Sequence, residues 1–267
     1  MLKFFVVTLF ISLSLSSVEA RETMPVVVVQ GGFRSCREIQ PTDKLPIGTK
    51  QADVFRDLKD RVEKELGAPL HWVLGCMGGG PFSDDAPMEF VSSSDMGSIG
   101  KAVFKTPHED SLQGLRDRIE AEIAAAHTDS VYLIGSSYGG WSAMKLALKL
   151  LDKYKVEGLV TIDPISPLSC TPSVFLSLLP NKGCQHAPAD ISAGDRERHN
   201  SGIVSWSHFY QTQFERLHSS AYTEPRFVKR LDFDVSGFFY NDPHALIGRD
   251  PRIWKSIADH LIEFGKR

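Results

Sequence analysis

The stretch Val131-Tyr132-Leu133-Ile134-Gly135-Ser136-Ser137-Tyr138-Gly139-Gly140 decides the fold of this 267-residue chain. An apolar, partly β-branched run precedes the first glycine and predicts a buried strand, and the segment from Trp141 onward predicts a helix. Between them lies one Gly-x-Ser-x-Gly pattern, centred on Ser137. Small residues on either side of a serine let a strand and a helix pass closely. The pattern therefore predicts a sharp turn that exposes the serine hydroxyl, with an ordinary glycine-rich turn as the alternative.

The composition limits the class of protein. Hydrophobic residues make up 42% of the chain and charged residues 24%, as in a globular protein with a full core. The length fits one large α/β domain or two small ones, and no internal repeat or domain boundary is evident, so we predict a single domain over residues 21–267. A formal net charge of −3 argues against nucleic acid or an anionic membrane surface as the main partner.

The first twenty residues have the pattern of a secretory signal peptide. Lys3 supplies a positive start, Phe4 to Leu15 is a mostly apolar run, and Val18-Glu19-Ala20 is a small-x-small cleavage signal. We therefore predict a signal peptide over residues 1–20, with cleavage after Ala20 and export to a periplasm or out of the cell. An uncleaved anchor is the alternative. No later run has the length of a membrane span, so no stable membrane insertion is expected after cleavage.

The four cysteines are Cys36, Cys76, Cys170 and Cys184. An even number of cysteines in an exported chain favours two disulfides, and neither C-x-x-C nor a nearby histidine pair suggests a metal site. Of the three possible pairings we favour Cys36–Cys76, because both residues follow predicted strands at one sheet edge, and Cys170–Cys184, which would close a short loop. No metal or cofactor is expected, since no dinucleotide or phosphate-binding glycine motif follows a strand.

Strands and helices alternate along the chain. The predicted strands are 25–30, 70–74, 131–134, 158–162 and 227–235, and the predicted helices are 51–66, one around 112–123, one after the elbow, 206–217 and one from 251. This alternation predicts an α/β fold, a mostly parallel sheet with helices on both faces. Residues 75–107 are predicted to be irregular. Residues 164–205 are predicted to form a cap or excursion, in which the apolar segment Val174–Leu179 lines an acyl pocket, forms a lid or simply packs.

A reactive serine needs a base to take its proton and an acid to orient that base. In a parallel sheet both are expected at the carboxyl ends of strands. Asp163 ends the strand that follows the elbow helix, in Thr161-Ile162-Asp163-Pro164. Because only one helix and one strand separate Ser137 from Asp163, the two residues should lie close together. Asp195 is the alternative acid.

His244 is the preferred base among nine histidines. It follows the last predicted strand, precedes the last helix and completes the chain order serine, aspartate, histidine. The oxyanion that forms during acyl transfer would need two backbone N–H groups. We expect one from Tyr138, directly after the serine, and one from Gly32 or Phe33, after the first strand.

These residues resemble those of α/β-hydrolase-fold proteins of the lipase, esterase and thioesterase kind, over roughly residues 25 to 265. The resemblance rests on Gly31-Gly32-Phe33, Gly135-Ser136-Ser137-Tyr138-Gly139, Asp163 and His244. Gln30 and Ser136 stand where histidine is common in the family. The family's usual first two strands are not evident, so the resemblance implies a trimmed version of the fold.

The resemblance implies an exported serine hydrolase that cleaves carboxylic esters, with a small-molecule or lipid ester as substrate. An amidase or peptidase, or a thioesterase, would use the same three residues. A non-catalytic binding protein that keeps the fold is the alternative from another class. The sequence predicts no oligomeric state.

Overall fold

The computed structural model describes residues 24–31, 51–77, 88–92, 102–104, 108–165, 184–185, 191–213, 217–219, 222–233 and 243–266. The predicted signal peptide, Gly32 and Phe33, and Cys36 and Cys170 lie outside these residues. The side chains of Cys76 and Cys184 are also outside the description, so both disulfides stay predictions.

The strands found in the described ranges form two sheets. Their bounds are β1 Val26–Gln30, β2 Trp72–Met77, β3 Met88–Ser92, β4 Ala102–Phe104, β5 Ser130–Ser136, β6 Lys155–Ile162, β7 Cys184–Gln185, β8 Ile203–Tyr210, β9 Leu217–His218 and β10 Phe227–Arg230. The large sheet has the order β10-β8-β6-β5-β1-β2-β3-β4, and β7 pairs with β9 separately. From β10 to β2 the neighbours run parallel, and β3 and β4 continue that edge as an antiparallel hairpin.

Helices cover both faces of this sheet. Their bounds are α1 Gln51–Leu66, α2 His108–Ala126, α3 Tyr138–Leu150, α4 Ala193–Gly202, α5 Pro243–Ile247 and α6 Pro251–Gly265. In β1 the side chains alternate: Val26 and Val28 belong to the core that α2 and α3 cover, and Val27 and Val29 to the core that α1 and α6 cover. The predicted α/β fold class, a mostly parallel sheet with helices on both faces, is therefore confirmed. None of the described helices has the length and apolar character of a membrane span.

The strand order changes direction at β1. The chain leaves β1 for β2 on one side and then returns to β5 on the other side. Connections from two neighbouring parallel strands that depart in opposite directions leave a crevice at their carboxyl ends, where open α/β sheets bind ligands. Gln30, the last residue of β1, pairs in register with Gly135 of β5. The Gly-x-Ser-x-Gly pattern therefore begins at this crevice.

The predicted helix over 206–217 is wrong, because its first part belongs to β8, between β6 and β10. The apolar residues Ile203, Trp206 and Phe209 are spaced three apart, which imitates a helical face, and serines occupy the alternate positions 205 and 207. The β-branched and aromatic side chains of this segment were the signal for a strand.

Two further stretches are more regular than predicted. Residues 75–107 contain the end of β2 and the hairpin strands β3 and β4. The excursion predicted over 164–205 contains α4, and it ends where β8 begins at Ile203. His199 of α4 contacts the carbonyl oxygen of Met144 on α3, so α4 is the crossover helix between β6 and β8 and packs on the same face as α3.

Candidate functional site

Ser137 occupies the turn between β5 and α3 in a strained backbone conformation. Its φ is 58° and its ψ −127°, in a region that residues other than glycine rarely adopt. Such a conformation costs on the order of 1–3 kcal/mol and persists only where the surroundings hold it. The Ser137 N–H donates to the carbonyl oxygen of Ile162 at 2.8 Å, and the Ser137 carbonyl accepts from the N–H of Gly140 at 2.9 Å. These bonds tie the turn to β6 and to the first turn of α3.

The glycines around Ser137 are required by close backbone contacts. A Cβ atom on Gly135 would lie 2.2 Å from the carbonyl oxygen of Gly139. A Cβ atom on Gly139 would lie 2.4 Å from the carbonyl oxygen of Gln30, and one on Gly140 would lie 2.8 Å from Cβ of Pro164. Only glycine lets the start of α3 pass this close to β5, to the end of β1 and to Pro164.

A strained serine on a strand–turn–helix connection, in a parallel sheet covered on both faces, has the same geometry as the elbow turn of α/β hydrolases. The chain has an α/β-hydrolase fold. This assignment rests on the strand order and on the elbow itself.

The structure brings Ser137, His244 and Asp163 together. The Ser137 Oγ lies 2.7 Å from Nε2 of His244, and Nδ1 of the same imidazole lies 2.7 Å from Oδ2 of Asp163. Ser137 follows β5, Asp163 follows β6, and His244 is the second residue of α5, so three separate elements meet here. The His244 side chain is 8% exposed and Asp163 is fully buried, whereas Ser137 is half-buried and is the most accessible of the three residues.

Asp163 is held from several sides. Its φ is 44°, and its N–H donates to the carbonyl oxygen of Phe209 on β8 at 2.7 Å. Its Oδ1 accepts from the N–H of Ser219 at 2.7 Å, and its Oδ2 accepts from Nε2 of Gln211 at 2.9 Å as well as from His244. A buried carboxylate needs such donors, because burying a charge without partners is costly.

The hydrogen bonds of His244 to Asp163 and Ser137 determine which tautomer its imidazole adopts. The Asp163 carboxylate accepts hydrogen bonds, so Nδ1 of His244 must carry the proton in the neutral imidazole. Nε2 then offers its lone pair to the hydroxyl of Ser137. A histidine in this tautomer can take the serine proton as the serine oxygen attacks, and the carboxylate can stabilise the imidazolium that results.

Tyr138 is the first residue of α3, so its N–H takes no part in the hydrogen bonds within the helix. Its buried ring packs at 4.9 Å, centroid to centroid, against Trp141, which fixes the start of the helix. The helix N-terminus carries partial positive charge beside the serine. Gly32 and Phe33, the other predicted oxyanion donors, lie outside the described residues.

Asp195, the alternative acid, serves a different purpose. It is the third residue of α4, where its Oδ2 accepts from the N–H and from the hydroxyl of Ser192, in a capping box. Those hydrogen bonds lower its pKa. Asp163, and not Asp195, contacts His244.

Four other histidines in the described ranges make side-chain contacts, and one of them is His71, whose Nδ1 lies 3.3 Å from Oε2 of Glu122. His199 contacts the Met144 carbonyl, Nδ1 of His208 lies 2.9 Å from Oγ1 of Thr161, and Nδ1 of His260 lies 3.0 Å from the hydroxyl of Tyr132. The His208 ring also stacks on Tyr222, with 4.1 Å between centroids. Burial raises the pKa of Tyr222, and the Asp163 charge raises it further.

Two residues besides His244 hold Asp163, and the sequence analysis did not identify them. Gln211 directly follows β8, and Ser219 directly follows β9. Recognition of β8 as a strand would have identified Gln211, because the carboxyl ends of neighbouring parallel strands meet at one edge. Ser219 contributes its backbone N–H, which no side-chain pattern reports.

No group of three or more histidine, cysteine, aspartate or glutamate side chains in the described ranges is arranged to hold a metal ion. The described polar side chains of this site form hydrogen bonds with one another. The Ser137 hydroxyl bonds to the His244 imidazole and the imidazole to the Asp163 carboxylate, which also accepts from the Gln211 amide and the Ser219 N–H.

No protein-family model and no curated protein matches this sequence. Among solved structures, the chain is similar to a protein of unknown function from Agrobacterium tumefaciens that is provisionally described as an α/β hydrolase. The identity is 17%, over 91% of this chain and 86% of that one, with a TM-score of 0.39. A provisionally described hydrolase from Agrobacterium vitis S4 is 17% identical over 86% and 88% of the two chains, with a TM-score of 0.37.

A structure reported for the metagenome-derived lipolytic enzymes LipS and LipT is 11% identical over 89% of this chain and 98% of that one, with a TM-score of 0.35. At these identities and TM-scores the likenesses carry no argument about fold or activity.

Proposed function

We propose that this protein is an exported serine hydrolase that cleaves carboxylic esters, with Ser137 as nucleophile, His244 as general base and Asp163 as the acid that orients the base. The proposal is supported above all by the continuous hydrogen-bond series from Ser137 Oγ through His244 to Asp163, with both links at 2.7 Å. A serine hydroxyl is a poor nucleophile without such a base, and this arrangement is the solution that unrelated hydrolases share.

In the first half of the proposed reaction, the Ser137 oxygen attacks the ester carbonyl carbon while Nε2 of His244 takes the hydroxyl proton. The tetrahedral intermediate carries its negative charge on the former carbonyl oxygen. The Tyr138 N–H and a second N–H from Gly32 or Phe33 would stabilise that charge. His244 then gives its proton to the leaving alcohol, and the acyl group stays on Ser137.

In the second half, water replaces the alcohol. His244 takes a proton from the water, the resulting hydroxide attacks the acyl carbon, and a second tetrahedral intermediate collapses. The carboxylic acid leaves, and Ser137 recovers its proton from His244. The negative charge of Asp163 stabilises the imidazolium in both halves. The elbow needs no rearrangement, because its strained geometry already presents the hydroxyl.

The decisive experiment compares the mature chain with Ser137→Ala and with Ser136→Ala on p-nitrophenyl esters from acetate to palmitate. Ser136 is the neighbouring serine, buried at the end of β5, and is the matched control. We expect turnover by the wild type and by Ser136→Ala, and none above background by Ser137→Ala. A serine-directed phosphonate should label the first two proteins and not the third.

The other outcomes separate the remaining candidates. Turnover that survives Ser137→Ala contradicts the assigned nucleophile. Labelling of Ser137 without ester turnover favours an amide, peptide or thioester substrate, since the three residues do not fix the leaving group. If the wild type shows neither labelling nor turnover, the hydrolase proposal is overturned and a non-catalytic binding protein is favoured.

Export is the second part of the proposal, and the pattern of residues 1–20 supports it. The full sequence and a variant that begins at Arg21 should be expressed in parallel in a bacterial host. We expect the full sequence to yield a periplasmic or secreted protein whose first residue is Arg21, and the shortened variant to stay in the cytoplasm. Recovery of an unprocessed full-length chain would contradict this.

A further inference from the structure

The geometry assigns Gln211 as a positioning residue that acts on the site through Asp163: its side-chain amide holds the carboxylate oxygen that faces His244. This inference rests on the proposed function. Gln211 is fully buried directly after β8, and its Nε2 donates to Asp163 Oδ2 at 2.9 Å. The same oxygen accepts from Nδ1 of His244 at 2.7 Å. The amide and the imidazole therefore share one oxygen.

The orientation of the amide follows from a second contact. Oε1 of Gln211 accepts from the backbone N–H of Gln213 at 2.8 Å. A backbone N–H can only donate, so it must face the amide oxygen, and the NH₂ group must face Asp163. Residues 211 to 213 thus form a small rigid loop that keeps a donor on the carboxylate. The opposite amide orientation would break both bonds.

This donor has a consequence for the imidazole. Oδ1 of Asp163 is fixed by the N–H of Ser219, and Oδ2 is fixed by Gln211 before His244 is considered. The plane of the carboxylate, and with it the direction in which Oδ2 receives the imidazole proton, is therefore set by two donors outside the catalytic residues.

The test is a single-atom exchange. Gln211→Glu keeps the oxygen that accepts from Gln213 and replaces the NH₂ donor by a second carboxylate oxygen, about 2.9 Å from Asp163 Oδ2. Two carboxylates at this distance repel each other when both are ionised, so they hold one proton between them until the pH is high enough to remove it. The other titratable groups around Asp163, which are His244 and Tyr222, are unchanged in this variant. We expect a fall in kcat that deepens as pH rises and the shared proton is lost, with KM little changed.

A second variant removes the donor without adding charge. Gln211→Met keeps the length of the side chain, and we expect a loss of about tenfold in kcat that does not depend on pH in this way. Gln113→Glu, on α2 and away from the site, is the matched control, because its Nε2 also donates to a carboxylate, Oδ1 of Asp117, at 2.7 Å. Gln113 is exposed and far from Ser137, so the exchange there places two carboxylates side by side in solvent and should leave kcat near the wild-type value at every pH.

A readout without substrate separates this inference from the proposed function. The proton on Nδ1 of His244, in a short bond to a carboxylate, should give a downfield proton NMR resonance. We expect this resonance to move in Gln211→Glu and in Gln211→Met and to stay in place in Gln113→Glu. If wild type neither turns over esters nor reacts with the phosphonate, the proposed function fails and the resonance still decides the role of Gln211. Folded Gln211 variants with wild-type kcat at every pH, or an unmoved resonance, would overturn the inference.

Discussion

Gly139 lies against the end of β1, where a Cβ atom on this glycine would come within 2.4 Å of the carbonyl oxygen of Gln30 and 2.7 Å of that of Gly31. Both obstacles are backbone atoms, which cannot turn aside as a flexible side chain can. Gly139→Ala should therefore force β1 and α3 apart, at a cost on the order of 3 kcal/mol in the free energy of unfolding, and displace the Ser137 hydroxyl. We expect lost ester turnover and a lower urea midpoint.

The control is Gly194→Ala, in the first turn of α4. A Cβ atom there meets nothing closer than Ser192 Oγ at 3.7 Å, an ordinary contact. Alanine is the better helix former, so this variant should be unchanged or more stable by about 0.5–1 kcal/mol. Equal stability of the two variants would show that the contact at Gly139 is not restrictive.

Asp163→Asn tests which acid serves the site. Asparagine keeps the size of the side chain but removes the charge that stabilises the imidazolium and the acceptor that fixes its tautomer. We expect kcat to fall on the order of 10³ to 10⁴, as when the acid of such a triad is replaced, with a small change in KM. Asp195→Asn should lose about 0.5–1 kcal/mol of stability through its cap and keep its kcat. A larger loss of kcat in Asp195→Asn would reverse the assignment.

His199 should make stability depend on pH. It is fully buried, and burial lowers its pKa below the usual 6.5. As pH falls, the unfolded chain therefore binds a proton at this residue before the folded protein does. The contribution of neutral His199 is complete above about pH 6.5 and is lost as pH falls through its lowered folded-state pKa.

The measurement is a series of urea unfolding curves from about pH 7 to about pH 5 for the wild type and for His199→Gln. Glutamine can still donate to the Met144 carbonyl and does not titrate. We expect the wild type to lose stability more steeply than the variant over this range. Parallel curves would mean that His199 is not kept neutral by the fold.

Gly158 of β6 is paired with Tyr132 of β5, and a Cβ atom on Gly158 would lie 2.2 Å from Cε2 of the tyrosine ring. The ring is buried and its hydroxyl contacts His260 at 3.0 Å, so it has little room to move. Gly158→Ala should therefore lower the free energy of unfolding by about 1–3 kcal/mol. In a double-mutant cycle with Tyr132→Leu, which removes the ring, the two changes should cost less together than their sum. Additive costs would contradict the contact.

Elements with one strong local period could be predicted with nearly correct bounds. The apolar positions of Gln51–Leu66 fall on one helical face, and Gly67 ends that helix with a φ of 66°, a conformation suited to glycine. β8 could not be identified in this way, because its apolar residues are spaced three apart and serines occupy alternate positions. The segment is a strand because it pairs with β6 on one side and with β10 on the other. The same error prevented the identification of Gln211, because this residue comes close to Asp163 only when β8 pairs with β6.

The sequence by itself determined the α/β alternation, the elbow at Ser137 and the order of Ser137, Asp163 and His244, because each of these depends on local period, on small residues at a turn or on a short chain path between two strand ends. Only the tertiary structure decided that Asp163 and His244 meet and that Gln211 and Ser219 hold the carboxylate. Those contacts join residues dozens of positions apart through the parallel order of β6 and β8, and no local preference of the chain encodes which strand ends become neighbours.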